Sequence, residues 1–472
     1  MARRTFVSAL VGAVCLALAG PVVSAGAAEA ADGRPGPGDP RAAALRALTD
    51  AGAAGAIAEV RDGKGVWRGA SGVSDLATGA PLRTDGRFRV GSVTKVFIAT
   101  TVLQLVGEGR IGLDDPVARH LPGLVPNGDR ITVRQLLNHS SGLWDSTNEK
   151  GGVFPDWTDS AAIRNWLDQG GLTRHITPAQ VVASSVAHAP NFPPGTGFGY
   201  SNVNYTLLGM IIEKVTGHGY AQEVTARILR PLGLAGTYFP GAATDIRGPH
   251  AHGYWTLPEG PGPEDSSDRD VTVASLTWAN SAGELISTLG DLNRFDKALL
   301  GGRLLPPALL KEMAATVPIE AGGVPTALGY GLGLASRQLS CGPVYGHNGS
   351  VPGCTAPSCG ARATGRCRCP SPRAATRRSS PRRCRRRPAS WSRPSAAADR
   401  GRAARRPRPE WCRSSADPPA VPPLHRRDFA PGFRRWSGCG VSPGGPGAYG
   451  DPHIIGEGYA PWRERNRARR RC

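Results

Sequence analysis

Ser92-Val93-Thr94-Lys95 sets a hydroxyl and an amine three residues apart at the start of Ser92–Val106 (SVTKVFIATTVLQLV), a run apolar on most faces. Residues at i and i+3 share a helix face, so the two groups can meet. Burial disfavours an ammonium, and a neutral amine beside a serine can take its proton and release a nucleophile. A helix N-terminus adds backbone N–H groups for a developing oxyanion. Most Ser-x-x-Lys pairs are an N-cap followed by a surface cation. Here the lysine sits in an apolar helix, and the pair occurs once in the chain.

Two further patterns also occur once each. Tyr200-Ser201-Asn202 lies in a Gly/Pro-rich loop, PPGTGFGYSN, just before a helix-like run. A tyrosine near a buried lysine can carry protons, and an asparagine amide can orient the lysine and donate to a substrate carbonyl. His347-Asn348-Gly349 closes the strand-like Val344–His347. A histidine there supplies polar character, and a glycine lets a substrate backbone come close. Each pattern alone also reads as ordinary loop or strand chemistry. The set of three, in this order, points to acyl transfer through a serine.

The elements that must hold these groups follow from periodicity and punctuation. A helix is expected at Arg41–Ala51, then strands at Gly55–Val60, Gly65–Ala70 and Phe88–Val90, with Asp62-Gly63 as a hairpin signal. Helices are expected at Ser92–Val106, Asp114–Leu121, Thr132–Asn138, Pro178–Ala187, Asn202–Thr216 and Asp291–Leu300, the last with Thr288 as N-cap. Strands return at Gly329–Leu334 and Gly342–His347. This order predicts an α/β (α+β) architecture: an antiparallel sheet from both chain ends, flanked by helices, with a mostly helical region inserted. No internal repeat is present.

With the motifs and elements in place, the chain resembles the penicillin-recognising serine hydrolases. It is most similar to the secreted D-alanyl-D-alanine carboxypeptidases of actinomycetes and the class C β-lactamase group. The resemblance rests on FRVGSVTKVF (88–97), LPGLVPNGDRITVRQLLNHSSGL (121–143), YSNVNYTLLGMIIEKVTGH (200–218), WANSAGELIST (278–288), YGLGL (330–334) and LSCGPVYGHNGSVPG (339–353). It implies the β-lactamase/DD-peptidase fold, Ser92 as acylated nucleophile, Lys95 as its base and Tyr200 as proton relay. It further implies that Asn202 binds the substrate amide and that Trp278 stands beside the site. His347, Asn348, Gly349 and Ser350 would line the strand, with the N–H groups of Ser92 and Ser350 as oxyanion hole. The implied substrate is a D-Ala-D-Ala stem peptide of peptidoglycan or a similar small acyl donor, with β-lactams as slow mimics and no metal or cofactor. Other acyl hydrolases of the fold (β-lactamase, esterase, amidase, D-aminopeptidase) stay open, because two positions depart from the carboxypeptidase pattern. Asn348 stands where relatives usually carry Thr, and Ala335 where the carboxypeptidases offer an Arg; those groups hold the terminal carboxylate. Relatives also bridge a cysteine at the position of Cys341 to one near the C-terminus.

Composition bounds the rest. The net charge of +20 is unevenly placed: residues 355–472 carry 28 Arg, no Lys and 7 acids, leaving 29 bases and 30 acids in 1–354. Residues 1–30 read as a signal peptide, with Arg3 and Arg4 before the apolar Phe6–Ala19. That run is short of the ~20 residues a membrane span needs, so the expectation is a secreted protein without a stable membrane anchor; separately, a monomer is expected. Residues 31–40 form a flexible leader, and 41–354 the hydrolase domain. His250-Ala251-His252 reads as a loop rather than a metal pair, and Cys367-Arg368-Cys369 lacks zinc-knuckle spacing. In 355–472, Leu, Ile, Val and Phe number 7 of 118 residues, far below the ~20% at which disorder is expected. An Arg-rich segment without Lys is what G/C-rich codons yield out of phase, so its charge implies no specific nucleic-acid partner. It also implies an inactive product with an anion-binding tail as the alternative to the enzyme. The two strands and C-terminal helix that the fold requires are expected in another frame of the gene from codons 354–356. Reading the nucleotides there tests this, and frames encoding neither element would overturn it.

Overall fold

The computed structural model describes residues 38–361, apart from 63–64, 149–153, 157–158, 260–265, 322–323 and 340–341. The leader over 1–30, Cys341 and the basic segment from 362 onward lie outside these residues. Helix α1 (Pro40–Asp50) opens on Asp39, whose side chain accepts from the Arg41 N–H, with proline at N1. The hairpin β1 (Gly55–Asp62) and β2 (Gly65–Gly72) follows, closed by the Asp62–Gly65 pair. Then come β3 (Phe88–Arg89) and a 3₁₀ turn, Gly91–Val93, that runs into α2 (Thr94–Gly107).

The inserted helical region holds α3 (Val117–His120), α4 (Val133–Leu137), α5 (Ser160–Asp168), α6 (Pro178–Val186), α7 (Asn202–Thr216), α8 (Tyr220–Val224) and α9 (Arg230–Leu232). Capping boxes Thr132/Gln135 and Thr177/Gln180 start α4 and α6. The expected Asp114–Leu121 helix shortens to α3, because Asp115 spends its side chain on the Gly112 N–H in the preceding turn. A second hairpin, β4 (Tyr254–Pro258) and β5 (Ser266–Asp270), precedes α10 (Asn280–Gly283), β6 (Ile286–Ser287), α11 (Leu289–Leu300) and α12 (Pro307–Met313). Thr288 caps α11 by accepting from the Asp291 N–H, as expected. The chain ends in β7 (Val317–Ala321), β8 (Val324–Tyr330), β9 (Ala335–Leu339), β10 (Gly342–Val351) and β11 (Cys354–Ala361).

These last five strands form one antiparallel sheet in the order β11-β10-β9-β8-β7. The sheet expected from both chain ends is therefore present in two pieces, since β1–β2 is a separate two-stranded sheet. Helix α11 touches both: Asn293 Nδ2 donates to Glu59 Oε1 of β1 (3.0 Å), and Ser358 Oγ of β11 donates to Asp296 Oδ2. Three strand expectations need correction. Strand β10 does not stop at His347 but runs to Val351. Strand β8 ends at Tyr330, and Gly333 (φ +75°) turns the chain towards β9.

The third correction concerns residue 354. The sheet does not end there but continues for one more strand: Cys354–Ala361 pairs with β10 from Val351↔Cys354 to Val344↔Ala361. Counting large apolar residues missed this strand because it buries small ones. Ala356 and Ser358 are buried, and a Cβ on Gly360 would lie 2.9 Å from Leu300 Cδ1.

The core sits on α2 and α7. Val96, Phe97, Ile98, Val102, Leu103 and Leu105 are buried on α2, and Leu207, Leu208, Ile211 and Ile212 on α7. Phe97 stacks on Phe295 of α11 with ring centroids 3.7 Å apart. Two of the buried acids have a raised carboxyl pKa. Burial pushes Glu284 up to about 7 against the opposing hydrogen bond from Tyr220, and pushes Asp296 up to about 7 against that from Ser358. Both bind a proton more tightly folded than unfolded, so their contribution is full below the unfolded values and is lost as pH rises through about 7. Raising the pH from about 4.5 to 8 should therefore cost at most about 3–4 kcal/mol per group. Denaturant melts of Glu284→Gln and Asp296→Asn should show a flatter decline over that range than the parent.

Candidate active site

Gly91 takes φ +53° to start the 3₁₀ turn, and in such a turn side chains at i and i+3 eclipse. Ser92 lies on that turn and Lys95 in the first turn of α2, with Lys95 Nζ 3.0 Å from Ser92 Oγ. The expected helix thus begins two residues later than the motif, and the tighter turn improves the pairing. Thr94 Oγ1 donates to the Gly91 carbonyl (2.7 Å) and accepts from the Leu285 N–H (3.1 Å), tying the turn to the chain beyond α10.

Lys95 has no solvent exposure. Its Nζ donates to Asn202 Oδ1 (2.8 Å) and to the Ala282 carbonyl (2.9 Å). The Tyr200 ring centroid lies 4.8 Å from the same nitrogen and the Tyr205 ring 5.5 Å away. As a neutral amine, Lys95 gives its two N–H groups to these two carbonyl-type acceptors, which leaves the lone pair for the Ser92 hydroxyl. Ser92, Lys95, Tyr200 and Asn202 therefore converge as the motifs predict. Asn202 is the first residue of α7. Ser201 occupies the cap position, but its Oγ donates to the Trp144 carbonyl (3.2 Å).

Strand β10 closes the other wall. A Cβ on Gly349 would stand 1.9 Å from the Val90 carbonyl and 2.8 Å from the Ser92 nitrogen, and one on Gly91 would stand 2.7 Å from the Ser350 nitrogen. Only glycines allow the strand so near the nucleophile. Ser350 Oγ pairs with Thr355 Oγ1 at 3.3 Å. His347 is buried with both ring nitrogens engaged, Nε2 by the Tyr330 hydroxyl (2.8 Å) and Nδ1 by the Asn348 carbonyl. It buttresses the strand, with its ring 6.3 Å from that of Tyr200. Asn348 projects from the opposite face by strand alternation. Trp278 packs edge-on against Phe154 at 5.4 Å; among the described residues no hydrogen bond or ring contact ties it to the dyad.

The motifs left out His139 and Asp145. His139, fully buried at φ +60°, accepts at Nδ1 from the Ser201 N–H (3.2 Å) and from Asn204 Nδ2 (3.1 Å), so its proton sits on Nε2. Burial first, then Lys95 and His347, hold it well below the usual histidine range, and it stays neutral. Its ring lies 4.2 Å from that of Tyr200. Asp145, 5% exposed, accepts at Oδ2 from Asn202 Nδ2 (3.0 Å) and at Oδ1 from the Thr147 N–H (3.1 Å). His139 lies within LLNHSSGL (136–143) and Asp145 two residues beyond it, and nothing in the local sequence tells what either side chain holds. In the loop at 250–252, His250 Nδ1 bonds the Gly248 carbonyl, and His252 Nδ1 bonds Asp270 Oδ2 at 2.7 Å.

A serine and buried lysine on one helical turn, walled by a Tyr-x-Asn loop and a glycine-bearing strand, define a serine acyl hydrolase of the penicillin-recognising class. The Beta-lactamase family profile matches residues 42–360, and the chain belongs to that family. It is 28% identical to penicillin-binding protein 4* of Bacillus subtilis (strain 168), over 63% of this chain and 63% of that one. It is 30% identical to esterase EstB of Burkholderia gladioli, over 64% of this chain and 84% of the esterase. Among solved structures, a D-stereospecific amidohydrolase from Streptomyces sp. is 41% identical, with TM-score 0.59 over 67% of this chain and 88% of that one. The D-amino acid amidase of Ochrobactrum anthropi SV3 complexed with D-phenylalanine is 30% identical, with TM-score 0.55 over 66% of this chain and 84% of that one.

Gly349→Ala is expected to push β10 off the 3₁₀ turn and to slow Ser92 acylation by about 10²-fold, the scale of a 1 Å misplacement. Stopped-flow labelling, with far-UV circular dichroism showing a retained fold, checks this.

Proposed function

We propose that the chain is a D-stereospecific acyl hydrolase that cleaves small D-aminoacyl amides and peptides through an acyl-enzyme on Ser92. In the first step Lys95 takes the Ser92 proton and Oγ attacks the amide carbon. Tyr200 passes a proton to the departing nitrogen as the C–N bond breaks. Water then attacks the ester carbon by the reverse proton path and frees Ser92. β-Lactams enter the same first step and leave slowly.

The observation that carries the amide reading is the uncharged strand beside the site. A terminal carboxylate needs a cation or a strong donor set, and the register puts Ala335 opposite Gly346 on the Asn348 face. Arg337 shares that face but pairs with Val344, roughly 13 Å along the strand from Asn348 at ~3.3 Å per residue. The Streptomyces amidohydrolase and the Ochrobactrum amidase, named for D-substrates, support the same direction. The D-Ala-D-Ala carboxypeptidase reading shares every step and differs only in requiring that carboxylate.

A panel of a D-amino-acid amide, its L-enantiomer, a D-Ala-D-Ala peptide and a simple ester tests the proposal. The D-amide should exceed both its enantiomer and the peptide by at least tenfold in kcat/KM. A peptide that wins by that margin, and loses on esterification of its C-terminus, would establish the carboxypeptidase instead. A fluorescent penicillin should label the parent, fail to label Ser92→Ala, and label Lys95→Ala about 10²–10⁴-fold more slowly. Export is proposed on residues 1–30 alone, and N-terminal sequencing of protein recovered from the medium should begin near residues 28–31. Among the described residues, no helix is long and apolar enough to cross a membrane.

A further inference from the structure

The segment from His139 to Thr147 grips the loop that carries Tyr200 and Asn202. The Gly199 N–H donates to the His139 carbonyl (2.9 Å), Gly195 N–H to Ser140 (2.7 Å) and Asn191 N–H to Gly142 (2.8 Å). At its end stands a carboxylate that the acyl-transfer scheme leaves without a task. Asp145 Oδ2 faces Asn202 Nδ2, while Asn202 Oδ1 faces Lys95 Nζ.

An asparagine amide has a donor end and an acceptor end that exchange on a half-turn about χ2. The two ends have opposite effects on Lys95. With Oδ1 towards it, the amide takes an N–H of the amine and leaves the lone pair for Ser92. With Nδ2 towards it, the amide would donate into that lone pair and occupy the base. An ionised carboxylate only accepts, so it holds the donor end and repels the acceptor end. The Thr147 N–H fixes the carboxylate in turn.

We infer that Asp145 is a positioning residue for acylation: it sets the orientation of the Asn202 amide and thereby keeps the Lys95 lone pair directed at Ser92. The inference rests on the reading of Ser92 as the acylated nucleophile. Its charge also acts on Lys95 through the amide, alongside the other titratable groups around that nitrogen. Nearest are His139 and the rings of Tyr200 and Tyr205; the elements packed against α2 also bring His347 on β10 and Glu284 just past α10. Loss of the carboxylate makes the ammonium easier to deprotonate, so the acid limb of the acylation profile moves to lower pH while its plateau falls.

The test compares the full-length parent with Asp145→Ala and Asp145→Asn in the rate of acylation by a fluorescent penicillin per competent site, from pH 5 to 9. Asp145→Ala should lower the plateau at least tenfold. Asp145→Asn keeps an acceptor for Asn202 Nδ2 without the charge, so it should recover most of the plateau while its acid limb stays shifted downward. A structural lesion alone lowers the number of competent sites and moves neither rate nor limb. Parental rates in Asp145→Ala overturn the inference, as does an Asp145→Asn enzyme as slow as Asp145→Ala with an unmoved limb. A second readout is independent of turnover. The Asn202 side-chain NH₂ signal, assigned by its loss in Asn202→Ala, should lie downfield in the parent and move upfield in Asp145→Ala. A signal that the substitution does not move overturns the inference even if no donor acylates the parent, which by itself would count against Ser92 as nucleophile.

Discussion

A lysine amine with no access to water must have its N–H groups and lone pair placed by the protein, because a buried polar group without a partner costs as much as several surface contacts return. Lys95 meets that demand with three oxygens from three parts of the chain: Ser92 on its own turn, Asn202 on α7 and the Ala282 carbonyl on α10. The helix pair α2–α7, the short α10 and the loop before α7 all have to arrive in register for that count to close. The proposed acyl transfer draws on the same count, since two acceptors for its N–H groups would leave the lone pair of a neutral Lys95 for Ser92.

The strand wall follows from a different constraint, backbone clearance. Gly91 and Gly349 let β10 approach the nucleophile to distances that any side chain would forbid. In return, the backbone of Ser350 stands close to the 3₁₀ turn where an oxyanion would form. His347, which the motif alone places among the substrate contacts, is drawn into holding that strand through Tyr330. Strand β11 covers the other edge of β10 with small residues, so the catalytic strand is paired on both sides within the described residues.

The legible part of the fold was the part with strong periodicity or strong caps. Helix α7 matches its expected bounds of Asn202–Thr216, because an amphipathic run followed by glycine leaves little choice. The Thr288 cap of α11 was equally plain. Elements held by partners were harder. The five strands of the C-terminal sheet have short and partly polar sequences, and β11 carries almost no large apolar residue, since its ladder with β10 and the face of α11 stabilise it. Element ends shifted where a side chain found a local partner, as at Asp115 before α3.

Sequence alone placed Ser92 and Lys95 within reach of each other, because Ser-x-x-Lys on an apolar helix is a statement about i, i+3 geometry and desolvation that needs no tertiary information. It also determined the neutral strand positions Ala335 and Asn348, which bear on what the site can hold. Tertiary structure decided which groups serve the reaction indirectly. Asp145 lies 57 residues from Asn202 and His139 62 residues from Ser201, and each is joined to its partner by a hydrogen bond. No local pattern encodes a contact across such separations. It exists only once the core has brought α7 and the turn at Gly142 together, which is why the residues that orient the base became visible only in the folded chain.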